Sequence, residues 1–521
     1  MKIETTRRRV IGAALAAPFV SAAPGAFAQA DRRPIMNIAV AELPPTLEPA
    51  NELSNVGTRV TYSIFDTLIR RDFLGSPDGG GSRLKPHLAE AWDRRSPREL
   101  IVRLRRDVKF HNGDTLTAED VTFTFAEGRL WGEKPSIAEG PAYFGVLESV
   151  TALDSHTVRF VTRTPDVLLE QRLSSWASWI VNKRAYSTLG MDGFGQAPVG
   201  TGPFRVRRMA RDQIFELEAF DDYFLGRPTA RQVNFRAVPQ LASRLAGLAA
   251  GEFDMITNVP PDQIAVINRM RDAEARSVVI ANSHMLTFND RGPVTSDKRV
   301  RQALSFAIDR KALVDGLWLG QAVVPPSHNY PEFGDMFLQG RELKFDPARA
   351  RQLLREAGYR GEPIVYRAAP HYYTRSLDAG QVLIEMWKAV GINASLQVVE
   401  NFTQMRAAGA QIGQWSNSTR LPDPLGALWV SWGPAGIQQR NRQWNSVDEF
   451  NAAGRALEGE VDLAKRRALF ARMLDIWEDE APGTILYQPL ETYGIKKSIT
   501  WRPYTFFFMD LRPDNLSFAR S

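Results

Sequence analysis

The chain predicts an α/β protein whose first half carries an α+β segment, and three observations lead there. Residues 363–367, the apolar face Val382, Leu383, Met386, Trp387 and Val390 closed by Gly391, and the alternating Ala394, Leu396 and Val398 follow one another as strand, helix and strand. That order makes a right-handed parallel unit, so the second half reads as α/β. Residues 73–196 instead mix short alternating strands with a capped helix, which reads as α+β. Finally, 521 residues exceed one ordinary core, so two or three domains are expected.

Taken in order, residues 34–40 (PIMNIAV) form a first strand, followed by the rigid turn LPPTLEP at 43–49. Residues 59–69 place apolar side chains at helical spacing. The glycine-rich loop 75–81 lacks a Lys-Ser or Lys-Thr pair and follows no buried strand, which excludes a phosphate cradle. Residues 99–105 read as a strand followed by the extended 108–110, and Asn112-Gly113 as a turn. Thr117-Ala118-Glu119-Asp120 fits a capping box that opens a helix through Val121 and Phe125. Residues 157–161 alternate as a strand. The double-glycine turn PVGTGPF at 198–204 leads to strands at 205–209, 213–219 and 232–238, then a small-residue helix at 241–251. Its glycines, Gly200 and Gly202, permit backbone shapes that other residues resist.

From His284 to Gly320 the pattern changes. A strand carries Met285, Leu286 and Phe288, and Gly292-Pro293 ends it. Ser296 or Asp297 then caps a helix whose buried face is Val300, Ala303, Leu304, Ala307 and Ile308, with Lys298, Arg299, Arg301 and Arg310 mostly on the opposite face. Asp346-Pro347 and Gly358 bracket the next helix, and residues 484–487 read as a late strand.

Composition narrows the function. The chain is 44% hydrophobic and 24% charged, as a globular protein is. The N-terminus resembles an export leader: Thr6-Arg7-Arg8-Arg9-Val10-Ile11 resembles the twin-arginine motif, with a general secretory leader as the other reading. A modest apolar run follows, and Ala26-Phe27-Ala28 gives a cleavage pattern, so a signal peptide spanning 1–28 is expected and a periplasmic location with it. The leader carries Lys2, Arg7, Arg8 and Arg9 against Glu4; removing its net +3 from the formal +6 leaves +3, too weak to argue for nucleic acid or a membrane surface. With no cysteine, disulfides, thiol catalysis, cysteine-ligated metals and a lipid-modified N-terminal cysteine are all excluded.

Six blocks then carry a resemblance: LAEAW at 88–92, VKFHNGD with TAEDV at 108–121, PVGTGPF at 198–204, RVRQALSFAIDR at 299–310, FDPARARQLLREAGY at 345–359 and Pro422-Asp423-Pro424. In this order they resemble the family 5 extracellular solute-binding proteins of bacterial ABC importers, the group that includes dipeptide-, oligopeptide- and nickel-binding proteins. The resemblance implies a two-lobed, type II-like periplasmic-binding-protein (Venus-flytrap) fold. Lobe I would comprise 31–72, 196–281 and 484–521 and carry an extra α+β subdomain at 73–195; lobe II would comprise 282–483. The chain would cross between lobes near 281–289 and return near 483–488, and two such crossings make a hinge. The implied function is capture of a small solute or short peptide by lobe closure and delivery to a membrane permease, by a monomer with no cofactor.

Candidate ligand residues follow from the same resemblance. Peptide-binding relatives hold the peptide ammonium with an aspartate three residues before the Asp-Pro pair; here that position is Arg420. A guanidinium repels an ammonium and pairs with carboxylate or phosphate. An acidic or hydroxyl-rich ligand is therefore expected, such as an acidic peptide derivative, an opine-like sugar–amino acid conjugate or glutathione; the alternative is an Arg420 that faces solvent or pairs with Asp423. Trp415, Ser418 and Asp423 from the same segment join it as candidates, and among the tryptophans crowded there (415, 429, 432, 444) Trp415 is expected to line the cleft. Tyr62, Glu42 and Asn289 complete the set, because the family places pocket residues near the first strand's end and the crossing strand. The six histidines (His87, His111, His156, His284, His328, His371) show no metal-ligand spacing, so no histidine metal site is expected, and the resemblance to nickel-binding relatives leaves open a metal carried by a small chelator. No Gly-x-Ser-x-Gly elbow, His-Glu-x-x-His or Ser-x-x-Lys set is present, so no enzyme is expected. The competing readings are a periplasmic hydrolase of a small glycoside or peptide, and a peptide-binding sensor or chaperone without transport.

Overall fold

The computed structural model describes residues 31–370, 373–400, 402–405 and 410–519 together with Met1. The expected leader and His371 lie outside the described residues. Among the described residues no helix is long and apolar enough to cross a membrane.

The chain builds three main sheets. The first is seven-stranded, in the order Ala273–Val279, Leu490–Lys496, Met255–Ile256, Ile35–Val40, Gln232–Ala237, Ile214–Ala219 and Phe204–Ala210. Ile35–Val40 runs parallel to both its neighbours and the outer pairs are antiparallel. A four-stranded antiparallel sheet, Ala89–Ser96, Glu99–Leu104, Thr157–Thr162 and Leu147–Asp154, forms the α+β subdomain. Its Leu100, Val102 and Phe160 share one hydrophobic core with Met36, Ile38 and Phe235 of the first sheet. The third sheet is five-stranded: Ala394–Val398, Ile364–Ala368, Ile412–Ser418, Asn282–Phe288 and Gly483–Tyr487. The parallel pairing of Ile364–Ala368 with Ala394–Val398 across the helix Ser376–Lys388 is the expected strand–helix–strand unit.

Successive side chains of a strand point to opposite faces, and in the third sheet both faces are covered. Leu286, Ile364 and Leu486 enter the core under the helices Lys298–Phe306 and Pro347–Ala357, whereas Met285, Trp415 and Ile485 enter a second core under Leu463–Glu480. Trp432 sits edge-on to Trp415, Trp444 and Trp477 at centroid distances of 6.0, 5.7 and 5.4 Å. The chain passes from the first sheet to the third through residues 280–281 and returns through 488–489. The two passages lie side by side, with Ile280 N donating to Pro489 O at 3.2 Å.

Caps fall where the local chemistry places them. Asp297 accepts from Arg299 N at 2.8 Å and Asp346 from Arg349 N at 2.8 Å, while Gly358 ends its helix at φ 70°. Asp120 accepts from Thr117 N at 3.0 Å, closing the capping box. The helix expected within 59–69 forms earlier, as Asn55–Thr61 under the Ser54 cap, and Ile69–Arg71 is a strand. The helix begun at Lys298 stops at Phe306, because Asp309 caps a second one, Arg310–Trp318.

Arg301 and Arg310 depart from the amphipathic expectation, since both are buried. Arg301 donates to Glu480 O and Ala481 O, the carbonyl end of the helix Leu463–Glu480, and to Thr295 O and Ser296 O. Arg310 donates to Ile485 O at 2.7 Å and to Thr484 Oγ1 at 2.6 Å. A guanidinium's fan of donors suits clustered carbonyls, and a helix C-terminus favours a cation. Gly200 and Gly202 also act differently from the expectation. Neither has a positive φ. They are needed for space, because a Cβ at either would lie 2.1 and 2.5 Å from the Ile64 backbone. His111 fastens this turn, donating from its backbone N to Gly200 O and meeting Gly202 O with Nε2 at 3.0 Å.

Four histidines are buried and neutral. Burial holds His87 and His111 down to about 4 and His284 and His328 down to about 3; for His87, Asp66 opposes that shift without cancelling it. Unfolded, each titrates near 6.5. The unfolded chain therefore takes up protons first as pH falls, and stability complete above about 6.5 is lost from there toward 4 and below. The urea midpoint is expected to drop between pH 7.5 and 5, with a shallower slope for His284→Phe; a flat profile would contradict the buried neutral assignment.

Candidate ligand-binding site

Between the lobe built on the seven-stranded sheet (lobe I) and the lobe built on the five-stranded sheet (lobe II) lies a cavity of about 210 Å³. A water takes about 30 Å³ in the liquid, so there is room for several. Its lobe I side is formed by the turn 51–55 that leads into the helix Asn55–Thr61, and by Glu139, Tyr143 and Trp176 of the subdomain. Its lobe II side is the end of the strand Ile412–Ser418 and the segment beyond it. The lobes touch around the rim. Ser175 Oγ donates to Arg420 O at 2.8 Å, Asn55 Nδ2 to Ser416 Oγ at 3.4 Å, and Arg440 donates to Ala138 O and pairs with Glu139 at 3.3 Å. Further out, Arg375 of lobe II pairs with Asp262 of lobe I. The molecule is thus in a closed arrangement.

Arg420 lies in the wall of this cavity, half-buried. Its Nη1 donates to Asn417 Oδ1 at 3.1 Å, Ser418 O at 3.2 Å and Ser431 Oγ at 3.2 Å, all neutral acceptors. Asn417 is itself held by Ser431 Oγ at 2.8 Å and by its own donation to Ala427 O at 2.9 Å, so the guanidinium is positioned from behind. The charged group stands 5.1 Å from the Trp176 ring centre and 5.9 Å from that of Tyr143, a cation–π arrangement. Its Nε is buried without a hydrogen-bond partner, and among the described residues no carboxylate lies within 4 Å. Asp423 does not take this charge, because it pairs with Arg466. Burial pushes the Tyr143 hydroxyl up to about 12 against the pull of Arg420, so it remains protonated at neutral pH.

The same cavity is lined from lobe I by Glu52, 7% exposed. It accepts from Ser54 N at 3.0 Å, and no cation lies within 4 Å of it among the described residues. Burial raises its pKa above the usual glutamate range, with Glu139 and Glu42 adding to the effect.

Of the residues expected from the sequence, Arg420, Trp415 and Ser418 come together at this wall. Trp432 and Trp444 are fully buried core residues. Four candidates lie elsewhere. Asp423 turns away to Arg466, at 2.7 Å, and accepts from Leu425 N at 2.9 Å. Tyr62 is buried in lobe I, stacked on Phe508 at 4.4 Å with the Arg512 guanidinium 4.9 Å from its ring. Glu42 is half-buried and does not wall the cavity. Asn289 follows the far end of the crossing strand, where it donates to Ala410 O at 3.2 Å. The cavity adjoins the part of that strand from Asn282 to Met285, which pairs with Ser418 to Trp415, and Asn289 does not wall it. Glu52, Tyr143 and Trp176 were missed. Their only sequence trace is a polar run (NELSN) and a serine–tryptophan run (SSWASW), neither tied to Arg420 by spacing. Among the described residues no group of three potential metal ligands comes together.

Comparison with known proteins places this geometry. The family model for the middle part of the bacterial extracellular solute-binding proteins, family 5, matches residues 83–439, more than half of the chain. The oligopeptide-binding protein AppA of Bacillus subtilis is 27% identical over 421 residues, covering 74% of this chain and 75% of the relative. Among solved structures, the dipeptide-binding protein of Pseudoalteromonas sp. SM9913 in complex with Met-Leu superposes with a TM-score of 0.84 at 18% identity, covering 93% of this chain and 100% of that one. The binding protein AgaA of A. tumefacien, in complex with agropinic acid, gives 0.81 at 21% identity over 94% and 99% of the two chains. A two-lobed fold that encloses a polar cavity, together with the family match over residues 83–439, leads to one conclusion: this chain belongs to the bacterial extracellular solute-binding proteins of family 5.

Proposed function

We propose that this protein is the periplasmic, soluble and monomeric substrate-binding subunit of an ABC importer, taking up a small acidic solute of peptide-like or opine-like chemistry. In this reading lobe I (31–72, 196–281 and 484–521, with the subdomain 73–195) and lobe II (282–483) close on the solute and present the closed face to a membrane permease. The observation that carries it is Arg420, a guanidinium in the cavity wall with neutral partners and no carboxylate within 4 Å among the described residues. A buried or half-buried charge without its counter-charge is costly, and an anionic ligand supplies that counter-charge through a charge-assisted, forked contact. Trp415, Trp176 and Tyr143 offer the ligand rigid apolar faces. Relatives whose names give peptides, and a neighbour solved with agropinic acid, support the chemical class. A solute touching both lobes stabilises the closed form, since only differential affinity shifts that balance.

Native mass spectrometry of the purified protein tests this. The expected result is a co-purifying carboxylate or phosphate compound whose amide or ester analogue fails to displace it in a tryptophan-fluorescence titration. A tightly bound uncharged solute would refute the anionic assignment.

A further inference from the structure

We propose that the cavity is built for a zwitterion, an amine-bearing acid held by Arg420 at its carboxylate and by Glu52 at its ammonium; this rests on the anionic reading above. The two charges have opposite sign, come from opposite lobes and line the same cavity. Neither has an ionic partner within 4 Å among the described residues. The other charges at the rim do not compete, because Glu139 and Arg440 pair with each other. Between the two poles the wall is neutral: Asn51, Ser54 and Asn55 on one lobe, Ser416, Ser418 and Ser431 on the other. A ligand carrying only an anion would satisfy Arg420 and leave the nine-tenths buried Glu52 in the same cavity wall without a counter-charge, which is unfavourable.

The electrostatics agree with an ammonium at the Glu52 end. Burial, reinforced by Glu139 and Glu42, raises the proton affinity of Glu52, as expected for a carboxylate awaiting a cation. The arrangement also reverses the polarity inferred for peptide-binding relatives. There an acidic residue at the position of Arg420 would take the ammonium; here that end takes the carboxylate, and the ammonium is handed to lobe I. Closure follows from the same division. Each lobe contributes one pole, so a ligand with both charges gains its two ionic contacts together only when the lobes meet. N-acylated acids lose one of those contacts and are discriminated against.

The test uses the full-length mature protein and a defined probe, an equimolar mixture of Asp- and Glu-containing α-dipeptides and γ-glutamyl dipeptides. It is offered once with free amines and once fully N-acetylated, with bound masses read by native mass spectrometry. The wild type is expected to retain free-amine members at least about tenfold better than their acetylated forms. Glu52→Gln, which keeps the shape and the acceptor oxygen, is expected to bring that ratio close to one while its melting temperature stays near wild type. Arg420→Ala is expected to weaken both sets. If the wild type holds acetylated members equally well, or Glu52→Gln keeps full discrimination while Arg420→Ala weakens both sets, the zwitterion assignment falls and the anionic one stands. If neither mixture binds the wild type, or Arg420→Ala binds both as well as wild type does, both assignments fall.

Discussion

Replacing Arg420 by alanine is expected to weaken binding of the anionic solute by roughly two orders of magnitude, about 3 kcal/mol. The size follows from the environment. The guanidinium sits in the closed interlobe cavity over Trp176 and Tyr143, where the local dielectric is lower and a charged hydrogen bond is stronger than at the surface. Its backing contacts, Asn417 Oδ1, Ser418 O and Ser431 Oγ, fix the fork before the ligand arrives, so little ordering is needed on binding. Arg420→Lys should recover only part of the loss, because an ammonium offers a point charge instead of a planar fork. Folding should be nearly unaffected. The side chain pairs with no carboxylate among the described residues, and Asn417 keeps Ser431 Oγ and Ala427 O when Arg420 is gone. Isothermal titration of wild type and both variants, with melting curves alongside, measures this. An unchanged Kd for an anionic solute in Arg420→Ala would remove the central support for the proposed function.

Arg512→Ala is expected to cost about 3–5 kcal/mol of folding stability, the range for stripping one partner from a buried ion pair. Arg512 is buried in lobe I between two carboxylates, donating to Asp66 Oδ1 at 2.6 Å and Asp510 Oδ1 at 2.9 Å, and also to Tyr223 OH at 2.9 Å. Asp66 is shared with His87 Nε2 at 2.7 Å and accepts from Thr201 Oγ1 at 2.9 Å; Asp510 is shared with Arg70 and accepts from Tyr504 OH at 2.5 Å. Burial alone would raise both acids. Arg512 and His87 outweigh it for Asp66, and Arg70 and Arg512 for Asp510, holding both below the usual carboxylate range. Without Arg512 two buried carboxylates lose their common counter-charge. The urea midpoint of lobe I unfolding should fall accordingly, and Asp66→Asn added to Arg512→Ala should recover part of the loss. A change below about 1 kcal/mol would mean that water or relaxation compensates the pair, contrary to the buried network. Because this network joins residues 66, 87, 201, 223 and 510–512, it fastens the C-terminal segment to the subdomain and to the PVGTGPF turn. Its loss should therefore lower stability without altering ligand selectivity.

Much of the fold was readable from the chain because its causes are local. The spacing of Ala350, Leu353 and Leu354 between Asp346-Pro347 and Gly358 defines a helix whatever surrounds it. The alternation of Ala394, Leu396 and Val398 defines a strand, and Thr117 with Asp120 marks the start of a capped helix. The ordered family blocks supplied the two-lobed plan, and Arg420, the residue that departs from the expected aspartate, pointed to an acidic ligand.

What the chain could not reveal is which long-range partner satisfies each polar group. Arg301 and Arg310 carry the same pattern as solvent-facing arginines, yet each is drawn into the interior by a carbonyl 175–180 residues away as well as by nearby ones. Trp415 and Trp432 lie 17 positions apart in one aromatic-rich segment. Trp415, in the middle of the Ile412–Ser418 strand, reaches the cavity, while Trp432 is closed in by Trp444 and Trp477. Asp423, beside Arg420 in sequence, is claimed by Arg466. Glu52 and Arg420, 368 residues apart, line one cavity only in the folded molecule. The sequence by itself determined the elements, their order and the unusual cation, since periodicity, caps and residue identity act over a few residues. Only the tertiary structure decided which charges remain unpaired, because pairing and burial are properties of segments brought together from far along the chain.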